Sequence, residues 1–483
     1  MRGAQRRRNS RDRGRRNARP SARPEIIVRR PLRNGRLLAW LVLQQAEHCD
    51  LFLQDLMADC DSECEMSSAE RALAVDLSYG VMKRRRTLDH LIASRLQRPR
   101  SQTEPELWQI LRLGTLQLLV GRVPAHAAVH TSVELCRELG QDRWTGFVNG
   151  ILRNIHRLFS EEEATGPSTT TLPISAGRWI RLNEPLLTDP LQNRAEWFGQ
   201  CFSLPSFLAE RWAARFSIDD LVRLGFAASD APVSSLRVNL LRTTREEVLQ
   251  LLQGASLKAE PGHLPCSIRL QRTIRPDQIP GFSEGLWSIQ DEAAMSAAIL
   301  LNPQPGERIL DLCAAPGGKT AHLAELSGDQ AEIFACDISE RRLAMIGSTT
   351  GRLQLRSVST HLISADGTDI PPGPFDAILI DVPCSNTGVL GRRPEARWRA
   401  DEESLQELIR IQTRLLLQTV ERVRPGGRIV YSTCSMEPEE NEGVVRNVMS
   451  VLKDWSVSSP QQHLPGQPAD GACQILLTRN KLT

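Results

Sequence analysis

From Gly285 onward, short apolar runs alternate with amphipathic stretches, and this alternation constrains the chain more than any other feature. It predicts strands over 308–313, 332–337, 360–365, 375–381 and 427–432, and helices over 320–325, 340–350 and 402–423. Such an alternation implies a parallel sheet with helices on both faces. In open sheets of that class, ligands bind at the carboxyl ends of the strands. Three features fall on that edge: the small-residue turn Ala314-Ala315-Pro316-Gly317-Gly318, Cys384 after the 375–381 strand, and Cys434 after the 427–432 strand. Two thiols and a glycine turn on one edge point to a nucleophile facing a bound cofactor.

The turn itself narrows the cofactor. Small residues let backbone approach a ligand closely. Gly318-Lys319-Thr320 invites a phosphate-loop reading, but that pattern requires glycine at position 313, which is Cys313. The dinucleotide pattern of three spaced glycines is also absent. Carboxylates at successive strand ends decide the matter better. Asp337 ends the second strand, where an acid accepts from ribose hydroxyls. Asp366 follows the third, where it could accept from an adenine amino group; alone, such an Asp is a turn former. Together they argue for an adenosine-bearing cofactor, and S-adenosyl-L-methionine suits the missing triphosphate motif.

Cysteine chemistry with such a cofactor suggests pyrimidine methylation. C5 of cytosine is a poor nucleophile; a thiolate adding to C6 creates an enamine that can attack a methyl group at C5. Charge leaving the sulfur needs an acid near N3, and release needs a base or elimination partner. Cys434, Asp381 and Cys384 can supply these roles.

Upstream, residues 36–160 repeat apolar positions at three and four spacing, which predicts an all-α bundle. The Glu-, Thr- and Ser-rich segment 161–175 reads as a flexible linker. Residues 176–284 read as helical sequence followed by a small α+β module for holding RNA, with strands at 234–239 and 267–270 around a helix from Thr244. Residues 285–483 form the α/β Rossmann-like domain.

Composition bounds the rest. A length of 483 residues accommodates two to four domains. The 1–36 segment carries fourteen Arg against Asp12 and Glu25, so it is +12 and the remainder −9. Such a block, placed at 1–35, is expected to be a disordered nucleic-acid-binding arm, the alternative being a solubilising tail. It lacks the apolar core of a secretory signal, and no apolar run approaches the ~18 residues of a membrane span. A cytoplasmic protein is expected. Eleven cysteines, an odd number, do not suggest a disulfide framework. Cys60 with Cys64, and His126 with His130, lack the further ligands of a zinc site, so no metal is expected.

Asp311 to Thr320, Asp381-Val382-Pro383-Cys384-Ser385, and Tyr431-Ser432-Thr433-Cys434-Ser435 with the following Met436-Glu437-Pro438-Glu439-Glu440-Asn441 resemble, as a set, the RNA cytosine-5 methyltransferases. In the front domain, 129–135 and 147–152 resemble the last helices of NusB, an RNA-binding antitermination factor. The combination is similar to the RsmB (Sun/Fmu) branch, which methylates a cytosine of 16S ribosomal RNA. The resemblance implies that Cys434 is the nucleophile and Cys384 assists release. It also implies that Cys313, Ala314, Ala315, Pro316, Gly317, Gly318, Lys319, Asp337, Asp366 and Asp381 line the S-adenosylmethionine pocket. The substrate is then RNA, and the protein is expected to be a monomer. Competing expectations are methylation of another RNA such as tRNA, a non-catalytic assembly factor, and attack by Cys384 as in DNA cytosine enzymes. Two positions and one segment depart from the family pattern. Asn386 stands for Gly, Gly391 for Arg, and 470–473 lacks an aromatic pair; Arg392, Arg393 and Arg397 are expected to keep their segment basic.

Overall fold

The computed structural model describes residues 32–481 except 50, 62–63, 176, 272–273 and 467–468, so nearly all of the Arg-rich arm lies outside the described residues. Six helices open the chain: α1 (Gly35–Ala46), α2 (Leu53–Asp61), α3 (Ser68–Ala93), α4 (Pro105–Val120), α5 (Ala125–Glu138) and α6 (Thr145–His156). Local signals set their ends. Asn34 and Ser67 cap α1 and α3 through side-chain oxygens, and Gly121, at φ +65°, stops α4.

The expected linker is folded. β1 (Phe159–Ala164), β2 (Thr171–Ser175) and β3 (Arg178–Leu182) make an antiparallel sheet in the order β1-β3-β2. Its Ser and Thr residues serve a turn: Thr171 Oγ1 donates to Gly166 O at 2.7 Å, while Leu172 is fully buried in the helical core. Next, α7 (Arg194–Phe202), α8 (Ser206–Arg215) and α9 (Ile218–Ser229) pack into that same core. The α+β module contains β4 (Ser234–Val238), α10 (Arg245–Gly254), β5 (Ala259–Pro261) and β6 (Ser267–Leu270), and borrows β7 (Trp287–Ile289) from beyond residue 284. Its sheet order is β5-β6-β4-β7, and Thr244 with Glu247 forms a capping box on α10.

The last domain comprises α11 (Glu292–Leu301), β8 (Arg308–Leu312), α12 (Gly318–Leu326), β9 (Glu332–Asp337), α13 (Glu340–Leu353), β10 (Val358–Leu362), β11 (Phe375–Asp381), α14 (Glu402–Val420) and β12 (Val423–Thr433). After it come α15 (Val444–Met449), β13 (Trp455–Val457), β14 (Gln461–His463) and β15 (Ala472–Arg479). The sheet order is β10-β9-β8-β11-β12-β15-β13, with β14 also on β15. The five predicted strands are parallel, but the sheet is mixed, because β15 pairs antiparallel with β12. Strand order reverses at β8, between β9 and β11, which opens a crevice at that edge. Among the described residues, no helix is long and apolar enough to cross a membrane.

A loop from this domain plugs the helical half of the molecule. Arg397 is 0% exposed and donates to the carbonyls of Lys83 (2.9 Å), Phe202 and Ser203 (both 3.2 Å) and Ala228 (2.6 Å). Trp398 Nε1 donates to Met82 O at 3.1 Å. The three Arg residues of this basic segment therefore occupy different settings. Arg397 is interior, Arg392 is paired with Asp470 and with Asp291 at 3.2 Å, and only Arg393 is exposed.

Candidate active site

The glycine turn leaves β8 through Cys313, whose φ of +63° reverses the chain. Gly317, at φ +98°, then opens α12; a Cβ there would sit 3.1 Å from Ile346 Cα, so the position demands glycine. At the end of β9, the Asp337 carboxylate is 2% exposed and braces this turn, accepting from Ala315 N at 3.3 Å and Ser339 N at 3.1 Å. Arg342 on α13 lies 3.4 Å from it and donates to Ala315 O at 2.7 Å. Ile338, the next residue, stands 59% exposed beside the turn. The sequence reading passed over both, since an Arg on a helix and an Ile after a strand carry no motif.

Lys319 points from the first turn of α12 to Asp381, with Nζ donating to Oδ2 at 2.8 Å. Ser432 Oγ donates to the other carboxylate oxygen at 3.0 Å. That contact follows from register, because Asp381 and Ser432 are partners on neighbouring parallel strands. Beneath them Asp311 accepts from Thr320 Oγ1 at 2.6 Å, and its second oxygen has no partner. Burial, reinforced by Asp381 and Asp337, pushes the Asp311 carboxyl up to about 7 from 3.8. The folded protein thus favours a proton that the unfolded chain releases above about pH 4. This contribution to stability is complete below pH 3.8 and is lost as pH rises through about 7. Asp311→Asn keeps the shape without the titration. We expect its unfolding free energy in urea to fall less than wild type's between pH 5 and pH 8, by roughly 2–3 kcal/mol. Parallel declines would show that Asp311 is hydrated.

Asp366 departs from this cluster. It is exposed, and its carboxylate accepts from Ser364 Oγ at 2.6 Å and Thr368 N at 3.2 Å. Those bonds, led by Ser364, hold it below the usual carboxylate range. It closes its own turn, and no hydrogen bond among the described residues joins it to the glycine turn, Asp337 or Asp381.

The same register that pairs Asp381 with Ser432 brings the two cysteines together, with Sγ atoms 3.1 Å apart. Cys384 is buried; its contact with Cys434, then burial, drives its thiol well above the usual range. Behind them sits Glu440. Its carboxylate accepts from Ser385 N and Gln412 Nε2, both at 2.9 Å, and from the hydroxyls of Ser385 and Ser435. One buried carboxylate therefore ties both cysteine loops. Burial raises Glu440 above the ordinary carboxylate range, against those hydrogen bonds. Its place in Glu439-Glu440-Asn441 gave no sign of this, since acidic runs are ordinarily solvated. Asn386, standing where the family pattern has Gly, takes the left-handed conformation at φ +59°.

Comparison with known proteins agrees with this architecture. Residues 298–475 match the 16S rRNA methyltransferase RsmB/F family, 33–157 the NusB family, and 204–275 the ferredoxin-like domain of Methyltr_RsmF/B-like proteins. The chain is 35% identical over 427 residues to the Synechocystis protein named "Probable ribosomal RNA small subunit methyltransferase B", covering 87% of this chain and 90% of that one. It is 32% identical to "Ribosomal RNA small subunit methyltransferase B" of Salmonella paratyphi A, over 84% of this chain and 90% of that one. The crystal structure of PH0851 shares the fold at TM-score 0.70 and 23% identity, covering 93% of this chain and 100% of that one. NSun6 of Pyrococcus horikoshii, crystallised with SFG, shares it at TM-score 0.52 and 20% identity, over 58% of this chain and 99% of that one. With its three domains matched in order and a relative of this identity aligned along most of its length, the chain belongs to the RsmB/F family of methyltransferases.

Proposed function

We propose that the protein transfers a methyl group from S-adenosylmethionine to C5 of a cytosine in 16S ribosomal RNA, through a Cys434–C6 adduct. The observation that carries this reading is the pair of thiols 3.1 Å apart, at strand ends beside the Lys319–Asp381 pair. The residues present suit the cofactor. Asp337, at the end of β9, would accept from ribose hydroxyls, Ile338 would offer an apolar face to a base, and the 313–318 turn would admit close backbone approach. When bound, S-adenosylmethionine supplies an electrophilic methyl group. Asp366 closes its turn through Oδ1 alone, so its other carboxylate oxygen would accept from an adenine amino group.

The chain's own residues account for the remaining steps. Cys434, as thiolate, forms the S–C6 bond, and the electron pair displaced from the C5=C6 bond gives C5 its nucleophilic character. The charge that develops at N3 is neutralised by a proton from the Asp381 carboxyl, replenished from the Lys319 ammonium it touches at 2.8 Å and returned when the C5=C6 bond reforms. Once C5 carries the methyl group, the C5 proton leaves to a base, the C5=C6 bond reforms, and Cys434 departs as thiolate. Cys384, whose sulfur lies 3.1 Å from the departing one, assists that elimination. The Arg-rich arm at 1–35 adds phosphate contacts to the RNA complex.

Two measurements test the reading. Mapping 5-methylcytosine in 16S RNA from a deletion strain should reveal one lost site, restored by the wild-type gene; an unchanged map would overturn the substrate. By calorimetry, Asp337→Ala should weaken S-adenosylmethionine binding by about 1–3 kcal/mol, the scale of lost hydrogen bonds to a charged group. Unchanged affinity in a folded variant would remove Asp337 from the pocket.

A further inference from the structure

The Asn386 amide meets more partners than a turn residue needs. Its Nδ2 donates to Cys384 O at 2.8 Å. Its Oδ1 accepts from Arg393 Nη1 at 3.0 Å and lies 3.2 Å from Cys434 Sγ, which donates to it. Flipping the amide would set oxygen against a carbonyl and an NH₂ group against a guanidinium, so both neighbours fix its orientation. Glycine at this position would satisfy the φ of +59° equally well and touch neither sulfur nor arginine. The side chain is therefore an addition to what the turn requires.

Arg393 is in turn held from another domain. Its guanidinium lies over the Phe52 ring, 4.8 Å from the centroid, and Arg399 lies over the same ring at 5.0 Å. Arg399 also donates to Leu51 O at 2.7 Å. Phe52 immediately precedes α2, so it belongs to the NusB-like half of the chain. A continuous run of contacts leads from that domain to the sulfur: Phe52, Arg393, Asn386, Cys434. The other polar groups around Cys434 sit elsewhere, with Cys384 at 3.1 Å, the Lys319–Asp381 pair across the edge, and Glu440 behind Ser435.

We infer that Asn386 is a positioning residue that aims the Cys434 sulfur, and that the NusB-like domain holds Asn386 through Phe52 and Arg393. The inference rests on the proposed attack by Cys434. It gives the N-terminal domain a part in the rate of bond formation, separate from any part in holding RNA. Aromatic–guanidinium packing is geometrically specific, so loss of the ring frees Arg393 to leave the amide.

A double-mutant cycle tests this. The readout is single-turnover adduct formation with S-adenosylmethionine and RNA carrying 5-fluorocytosine, whose fluorine cannot leave C5 as a proton would after methyl transfer and so keeps the adduct. RNA affinity is measured in parallel by filter binding, and folding by thermal melting. Phe52→Leu should slow adduct formation at saturating RNA by about tenfold, within the range that small misplacements of reacting groups produce. RNA affinity should be unchanged. Asn386→Gly should slow it similarly, and Phe52→Leu should then add less than about twofold in the Asn386→Gly background. Multiplying effects, or an effect of Phe52→Leu confined to RNA affinity, would overturn the inference. A wild-type protein that forms no adduct would instead overturn the proposed chemistry, and this inference with it.

Discussion

Cys434→Ala is expected to abolish both methyl transfer and any covalent RNA adduct, a loss on the order of 10⁶ in rate if this nucleophile behaves like others. Cys384→Ala should do something different. With Cys434 intact, attack and methyl transfer proceed, but elimination stalls, and the enzyme accumulates as a covalent complex with product RNA. Denaturing gels of each variant with RNA and S-adenosylmethionine separate the two outcomes, because only a covalent complex survives. The close contact of the sulfurs, 3.1 Å, makes the assignment a real choice. An adduct from Cys434→Ala and none from Cys384→Ala would transfer the nucleophile's role to Cys384. Neither substitution should unfold the protein, since each removes a single sulfur from a site braced by Glu440.

Arg397→Ala should cost more stability than any active-site change. Burial lowers the Arg397 guanidinium to about 9, still charged at neutral pH, and its nearest listeners are carbonyl oxygens from α3, the α7 end and α9. Removing it leaves a cavity and several buried acceptors without donors, each worth about 1–3 kcal/mol. We expect a loss above about 4 kcal/mol, at the extreme of single substitutions. Urea unfolding followed by tryptophan fluorescence would measure it, with Arg397→Lys recovering part of the loss. A decrease under about 1 kcal/mol would mean that water replaces the guanidinium.

How far sequence reached this structure depends on the range over which each feature is encoded. The turn after β8, the acid ending β9 and the two strand-end thiols are written in contiguous stretches, and the order of parallel strands brings them to one edge. Glu440 was illegible because its role exists only when Ser385, Gln412 and Ser435 arrive from three separate segments. The burial of Arg397 was illegible for the same reason: its partners lie as far away as Lys83. The Thr-rich stretch before β2 matched the composition of a linker, yet Leu172 anchors it in the helical core. Asp366 follows the local rule for turn formers through one of its carboxylate oxygens. β13 to β15 escaped notice because short strands pair by contacts distant in sequence, which periodicity does not record.

The register between β11 and β12 has a historical consequence. Cys384 and Cys434 are fifty positions apart in the chain, yet pairing of Asp381 with Ser432 makes them neighbours. A fold of this kind gives one chemical task two adjacent seats. Under the proposed chemistry, a lineage could move the bond-forming sulfur from one strand to the next without redrawing the sheet or passing through a protein that lacks a thiol at the site.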